Sequence, residues 1–370
     1  MSARIDRIVI VGNGVGGLTA ADTLRDTGFD GELTIVGDEP RPAYSRPALS
    51  KALLLDGDDL SSHTLPPATH GAHELLGVRA RGLDMDGRIV VLDDGSALPY
   101  DRLVLATGSR ARRLSDHPGE VTLRGLDDAL ALRGRLAARP SVVVVGGGPL
   151  GMEIASAALA RGCPVTLVSQ GPPLRTQLGP HLAAVIVKAA LERGLTIVET
   201  GAARLDGAGH VRLDDGAVLD TELVVTAVGD VPNTGWLGAS GPLRVDSRGL
   251  LRPEIAAVGD LAAVPTRYGR RRIPLWHSAI EQAKVAAVAL LRGEEAAPLE
   301  FEPYFWTEQF GLTLKAVGHL PVAGMPACVD GEPDGPGLLR WSHEDGAGVA
   351  AAVNYRIPVP RLRRLRAGAA

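Results

Sequence analysis

The chain has 370 residues, 45% of them hydrophobic and 22% charged, with a formal net charge of −4 at pH 7. That length exceeds one ordinary core, so two or three domains are expected, and the small net charge excludes a general attraction to nucleic acid or an anionic membrane. Two cysteines, Cys163 and Cys328, stand far apart and outside any CxxC or CxxxxC pattern. This excludes a redox dithiol, a zinc ribbon and a disulfide framework, and leaves each as a packing residue or an idle thiol.

The opening "MSARIDRIVIVGNG" enters a short strand almost at once, without the longer apolar region and cleavage site of a signal peptide. A cytoplasmic protein with no membrane span is therefore expected. "RIVIVGNGVGGLTAADTLRDTG" predicts a buried strand, a tight turn and a helix, and "ELTIVGDEP" a second strand. Gly12, Gly14 and Gly17 fall at the turn in a GxGxxG spacing. Glycine there permits the tight turn, close approach of backbone to a pyrophosphate and close helix–strand packing, while the helix start offers free N–H groups. Asp38 and Glu39 follow about 20 residues on, where a ribose-binding carboxylate is expected. The alternative is a glycine-rich turn with a solvated acidic pair. "RIVVLDDGSALPYD" predicts a hairpin, and "YDRLVLATGS" a closing strand with Ala106, Thr107 and Gly108 at its end.

The plan then repeats. "SVVVVGGGPLGMEIASAALARG" and "PVTLVSQ" form a second strand–turn–helix–strand unit around Gly146, Gly148 and Gly151. Its ribose position is Ser169, nothing acidic follows nearby, and the next charge is Arg175. An acid there would accept from a 2′-hydroxyl and repel a 2′-phosphate, so NADH and NADPH both stay open; Arg175 reads as a phosphate partner or as a solvated loop arginine. Residues 141–160 carry one charged side chain, Glu153. Either it is buried with a partner, since an unpaired buried charge is costly, or it is a surface residue favoured by the helix N-terminus. "HVRLDDGAVLDTE" predicts another hairpin and "TELVVTAVGD" another closing strand, with Gly229 at its end. Two βαβ units in one chain predict parallel sheets with helices on their faces, the second half inserted into the first.

Beyond residue 230, "LLRPEIAAVGDLAAVP" predicts a strand ending near Asp260, and "IEQAKVAAVALLRG" an amphipathic helix closed by Gly293. From about residue 303 the composition shifts. The chain has 4 Trp, 5 Tyr and 4 Phe, yet Phe301, Tyr304, Phe305, Trp306 and Phe310 all fall within 301–310. They read as the core of a small domain or as a cofactor cap. "PYFWTEQFGLTLKAVG" and "GVAAAVNY" suggest its strands. The basic clusters "RYGRRR" (267–272) and "RLRRLR" (361–366) read as a solvated loop and a loose tail, or as surfaces steering an acidic partner.

Two dinucleotide sites in one chain imply electrons passing between two cofactors. Here the sequence resembles the FAD-dependent pyridine-nucleotide oxidoreductases, in particular the ferredoxin reductases that serve Rieske oxygenases and P450s. "GDEPRPAYSRPALSKALL", "LVLATGSRARRL", "VVVVGGGPLGMEIA", "TAVGDVPNTGWL", "IAAVGDLA", "PLWHSAIEQAKVAA" and "PYFWTEQFGLTLKAVG" keep that family's order over nearly the whole chain. The resemblance implies an α/β fold with two Rossmann-like dinucleotide-binding domains of the glutathione-reductase kind and a small α+β C-terminal domain. Residues 1–110 and 231–302 would bind FAD, 111–230 would bind NAD(P)H, and 303–370 would form the third part. It further implies that Gly12, Gly14 and Gly17 hold the FAD pyrophosphate, Asp38 or Glu39 its ribose, and Thr107 and Gly108 approach it from the closing strand. Asp260 would bond the ribityl chain, and Arg46, Pro47 and Lys51 would line the flavin. Glu153 would pair with Lys51 beside it, with Trp306 and Trp276 close to the ring. His277 stands beside Trp276, and Ser278 occupies a position that is usually asparagine in the family.

The implied reaction is hydride transfer from NAD(P)H to FAD, then electron transfer to a ferredoxin-type iron–sulfur protein, by a monomer or homodimer. The missing paired cysteines exclude a disulfide reductase, and the absence of cysteine from "AYSRPALSK" excludes a peroxide or NADH oxidase of that fold. Same-fold reductases for rubredoxin, quinone or a pathway-specific acceptor stay open, as does a redox-responsive flavoprotein of the apoptosis-inducing kind.

Overall fold

Strands of Val, Ile and Leu that are apolar on both faces must be covered on both faces, and two parallel sheets meet that need. The structure, a computed structural model, describes residues 4–55, 64–65, 69–342 and 348–368. The chain divides into two units. One comprises Met1–Ser45, His63–Arg110 and Val231–Phe301; the other comprises Arg46–Ser62, Ala111–Asp230 and Glu302–Ala370.

The first unit is built on a six-stranded sheet in the order Leu250–Arg252, Ile255–Ala257, Arg102–Leu105, Arg7–Val11, Glu32–Gly37, His73–Leu76. It is parallel except for the edge strand Leu250–Arg252. Alternation along the strands assigns the two faces. Ile8, Ile10, Leu33 and Ile35 pack with helices Val15–Asp26 and Trp276–Arg292, whose contact residues include Ala20, Ala21, Ala283, Ala286 and Ala287. Val9, Val11 and Val36 face the other way, onto Val90 and Leu92 of a three-stranded antiparallel sheet. That sheet contains the first expected hairpin, Ile89–Leu92 with Ala97–Pro99. The long helix starts at Trp276, earlier than the amphipathic stretch predicts, and ends at Gly293 with φ +60°.

The second unit carries a five-stranded, all-parallel sheet in the order Thr196–Glu199, Val165–Ser169, Val142–Val145, Leu223–Thr226, Val121–Thr122. Helices Leu126–Leu136, Pro149–Ala160 and Pro180–Glu192 belong to the same unit. The second hairpin is His210–Leu213 with Val218–Asp220. The C-terminal stretch is a five-stranded antiparallel sheet, Tyr304–Gln309, Leu312–Val317, Val349–Val353, Gly337–Trp341, Ala327–Gly331, followed by helix Val359–Arg366. The α/β architecture with two parallel sheets and an α+β tail thus matches the expected class. Arg46–Ser62, expected with 1–110, packs in the second unit, and so does the C-terminal stretch expected as a third part.

The two basic clusters take ordered forms. Residues 267–272 make half of a hairpin, Ala262–Thr266 with Gly269–Arg272, and the Arg267 and Arg271 guanidiniums lie 4.7 and 5.7 Å from the Tyr268 ring centroid. Residues 361–366 are helical rather than a loose tail, because Leu362 is fully buried and Arg363 and Arg366 both pair with Glu302. Cys163 is buried and Cys328 exposed, both as free thiols. Among the described residues no helix is long and apolar enough to cross a membrane.

Candidate active site

In the first unit the chain leaves Arg7–Val11, turns at Gly12, and enters the helix at Val15. Gly12 has φ +119°, and a Cβ there would stand 2.2 Å from the Ala106 carbonyl oxygen. A Cβ on Gly17 would stand 1.9 Å from the Gly12 carbonyl oxygen. These two glycines let the turn fold against the closing strand. Gly14 differs, because a Cβ there would meet nothing within 4 Å. The space before this helix start is therefore open. The helix has no side-chain cap and no acid in its first turn, so its unpaired N–H groups and dipole are available to an anion. A dinucleotide pyrophosphate fits this cradle.

Around that loop, Asp38 is exposed and lies 3.8 Å from Arg79, while Glu39 accepts a 2.6 Å hydrogen bond from Tyr44 Oη. The Ala106–Thr107–Gly108 turn is clamped reciprocally. Thr107 Oγ1 donates to the Asn233 carbonyl (2.8 Å), Asn233 Nδ2 donates to the Thr107 carbonyl (2.9 Å), and Asn233 N donates to the Gly108 carbonyl (2.9 Å). Asp260 sits in a single turn, Gly259–Leu261, and accepts from Ser109 Oγ at 3.0 Å. Trp276 is the first residue of its helix and half-buried. Ser278 is fully buried; its hydroxyl accepts from Gln282 Nε2 (2.7 Å), and Gln282 Oε1 accepts from Gly259 N (2.9 Å). The serine in place of the usual asparagine thus helps fix the turn that carries Asp260.

In the second unit Gly146 has φ +124° and a Cβ there would stand 2.3 Å from the Ala227 carbonyl oxygen; one on Gly151 would stand 1.9 Å from the Gly146 carbonyl oxygen. The two loops therefore share one geometry. Gly148 precedes helix Pro149–Ala160, where Pro149 fits because the first helical N–H has no partner to lose. Ser169 is buried at the end of its strand, Arg175 begins the short helix Arg175–Leu178, and Gly229, with φ +102°, accepts from Arg112 N at 3.0 Å.

Glu153 is buried, in the second turn of that helix. Its Oε2 accepts from Lys51 Nζ (2.9 Å) and Ser50 Oγ (2.5 Å), and its Oε1 accepts from Thr307 Oγ1 (2.5 Å). Lys51 Nζ also donates to the Pro47 carbonyl (3.1 Å) and stands 4.5 Å from the Trp306 ring centroid. Arg46 Nη1 donates to the Arg124 carbonyl at 3.2 Å, and Arg161 Nη1 to the Leu54 carbonyl at 3.1 Å, which ties residues 46–54 into the unit. Lys51, Glu153 and Trp306, more than 100 residues apart in sequence, therefore form one cluster. Burial and these hydrogen bonds hold both side chains in place, an arrangement suited to orienting a bound ring.

Ser50, Thr307, Asn233 and Gln282 were not singled out from sequence. Hydroxyl and amide side chains give no periodic signal, and a buried Glu153 demands a partner without naming which hydroxyls supply the rest of its shell.

The family described as pyridine nucleotide-disulphide oxidoreductase matches over residues 6–283. The chain is 36% identical over 334 residues, 86% of its length and 82% of the relative's, to the p-cumate 2,3-dioxygenase system ferredoxin–NAD(+) reductase component of Pseudomonas putida. It is 31% identical over 335 residues, 85% of its length and 86% of the relative's, to a rubredoxin–NAD(+) reductase of Pseudomonas putida. Among solved structures, the covalent putidaredoxin reductase–putidaredoxin complex is similar at a TM-score of 0.85 and 30% identity, covering 98% of this chain and 92% of that one.

Proposed function

The chain belongs to the pyridine nucleotide-disulphide oxidoreductase family, and from that premise we infer that it is an FAD-dependent NAD(P)H oxidoreductase of the ferredoxin-reductase type. The observation that carries this reading is the pair of matching glycine loops, each on its own parallel sheet, in a chain without a redox dithiol. Two such loops serve two dinucleotides, and without a dithiol the electrons must leave by another acceptor.

A bound FAD would supply two-electron acceptance from the reduced nicotinamide and one-electron release to the acceptor. The rest falls to the protein. The amides beyond Gly12, Gly14 and Gly17 hold the FAD pyrophosphate, Asp38 or Glu39 its ribose, and Ala106, Thr107, Gly108 and Asp260 the middle of the cofactor. Gly146, Gly148 and Gly151 do the same for the nicotinamide dinucleotide, with Gly229 closing the loop. Arg46, Pro47, Lys51, Glu153, Trp276 and Trp306 orient the reacting rings. Hydride transfer needs no acid or base, so orientation is the main demand. The proposed functional assignment is FAD on 1–110 and 231–302, although 46–62 packs in the second unit, nicotinamide on 111–230, and 303–370, in that same unit, supplying Trp306 and Thr307. The electron acceptor is a ferredoxin-type iron–sulfur protein supplying an oxygenase or a P450. The similarity to a rubredoxin–NAD(+) reductase favours rubredoxin as the second candidate.

Anaerobic stopped-flow mixing of FAD-loaded protein with NADH and NADPH in turn tests this. Rapid bleaching of the flavin, followed by cytochrome c reduction that requires added ferredoxin, is the expected result. A folded protein that stays colourless and takes up no FAD would sink the reading.

A further inference from the structure

The second glycine loop lacks its ribose carboxylate, and the structure offers a replacement one strand over. Ser169 ends its strand buried, and its Oγ lies 2.1 Å from where a Cβ on Gly147 would stand, so the hydroxyl is turned into the loop. Its in-register neighbour across the parallel sheet is Glu199, the last residue of Thr196–Glu199. In-register residues of parallel strands point to the same face about 4.8 Å apart, and glutamate carries its carboxylate farther from the backbone than serine carries its hydroxyl. Glu199 is exposed and lines a cavity of about 410 Å³ together with Pro173, Arg175, Ala184, Val187 and Ile197. The cavity wall is tied directly to the glycine loop: Leu174 N donates to the Gly147 carbonyl at 2.8 Å, and the Pro173 Cα lies 3.2 Å from the Cβ position of Gly147.

We propose that this cavity receives the adenosine half of the nicotinamide dinucleotide and that Glu199 takes the ribose diol, making the protein selective for NADH over NADPH. This rests on the reading of 111–230 as the nicotinamide part. The apolar lining suits a purine base. A carboxylate accepts two hydrogen bonds from a 2′,3′-diol and repels a 2′-phosphate. Arg175, the cation in the same cavity, is the rival determinant, since it would attract that phosphate.

Calorimetric titration of the FAD-loaded protein with 5′-AMP and with 2′,5′-ADP separates the two without turnover. 5′-AMP is expected to bind more tightly. Glu199→Gln, a surface change, is expected to narrow the gap by about tenfold or more, the worth of a hydrogen bond to a charged group. The ratio of flavin reduction rates with limiting NADH and NADPH should shift by a similar factor. Ala184→Trp, which fills the cavity, should weaken both nucleotides. An unchanged ratio in Glu199→Gln, or tighter binding of 2′,5′-ADP that Arg175→Ala abolishes, would overturn the proposal. If the nucleotides bind as expected but NADH leaves the flavin oxidised, the adenosine site stands and the reductase reading falls.

Discussion

Glu153 shows how much one buried carboxylate demands. It and Lys51 are only 7% and 8% exposed at the side chain, and two hydroxyls complete its shell. Removing one partner leaves the other charge buried and unpaired, a cost of about 3–5 kcal/mol, whereas replacing both by apolar groups is often neutral. Lys51→Met is therefore expected to lower stability by about 3 kcal/mol or more in urea unfolding, and Lys51→Met with Glu153→Leu to recover most of that. Both variants should reduce flavin slowly, so restored stability without restored rate would separate the structural from the orienting role. Glu120 is a second buried carboxylate with a different task. Burial alone would raise its pKa, but hydrogen bonds from Thr226 Oγ1, Leu114 N and Ser115 outweigh this and hold it below the usual carboxylate range. A carboxylate depressed in the folded state stabilises above its unfolded pKa, and that contribution is lost as pH falls through the folded value. The melting temperature of the wild type should thus exceed that of Glu120→Gln at pH 7, and the gap should close as pH drops below about 4. A gap that stays constant across that range would contradict this. At this scale the sequence alone pointed to Glu153 as anomalous, and resemblance named Lys51; Ser50 and Thr307 were illegible because their partner lies about a hundred residues away or more.

The elements that carry the two glycine loops were the most legible, because their geometry leaves little choice of residue. A Cβ on Gly17 would collide with backbone, the Gly12 carbonyl oxygen at 1.9 Å, rather than with a side chain that can swing aside. Gly17→Ala is expected to cost about 1–3 kcal/mol or more and to separate strand from helix; circular dichroism melts of the apoprotein would check it, and an unchanged midpoint would mean the loop has room for a methyl group. The DDG hairpins were equally readable, since Gly95 and Gly216 both take positive φ (86° and 88°) between alternating strands. Other elements were hidden. The helix at Trp276 starts after Leu275 with no side-chain cap to mark it. Strands Ala327–Gly331 and Gly337–Trp341 lacked a strong pattern, the former being exposed throughout. Helix Val359–Arg366 depends on one buried leucine and on Glu302, almost 60 residues back, for its arginines.

Across the whole molecule, repetition of a strand–turn–helix plan made two dinucleotide-binding parts legible, whereas the placement of residues 46–55 with the second unit was not, because their partners Glu153 and Arg161 become neighbours only on folding. The same repetition raises the question of which loop holds the resident cofactor, and ligand linkage answers it. A ligand that binds only the folded protein stabilises it by about 4.1 kcal/mol at a thousandfold excess over its dissociation constant. Stripping FAD should therefore lower the thermal midpoint by several degrees, and adding it back should restore it. Gly14 and Gly148 allow the assignment to be made loop by loop. Both have negative φ (−104° and −79°), and a Cβ at either meets no atom closer than 3.8 Å, so alanine is compatible with the fold and intrudes only where a pyrophosphate would lie. Gly14→Ala is expected to abolish the FAD-dependent shift while leaving the stripped midpoint unchanged. Gly148→Ala is expected to keep the shift and to lose saturable reduction by NADH. The opposite pattern in differential scanning calorimetry would exchange the two assignments, and a shift untouched by either variant would mean that neither loop grips the flavin nucleotide.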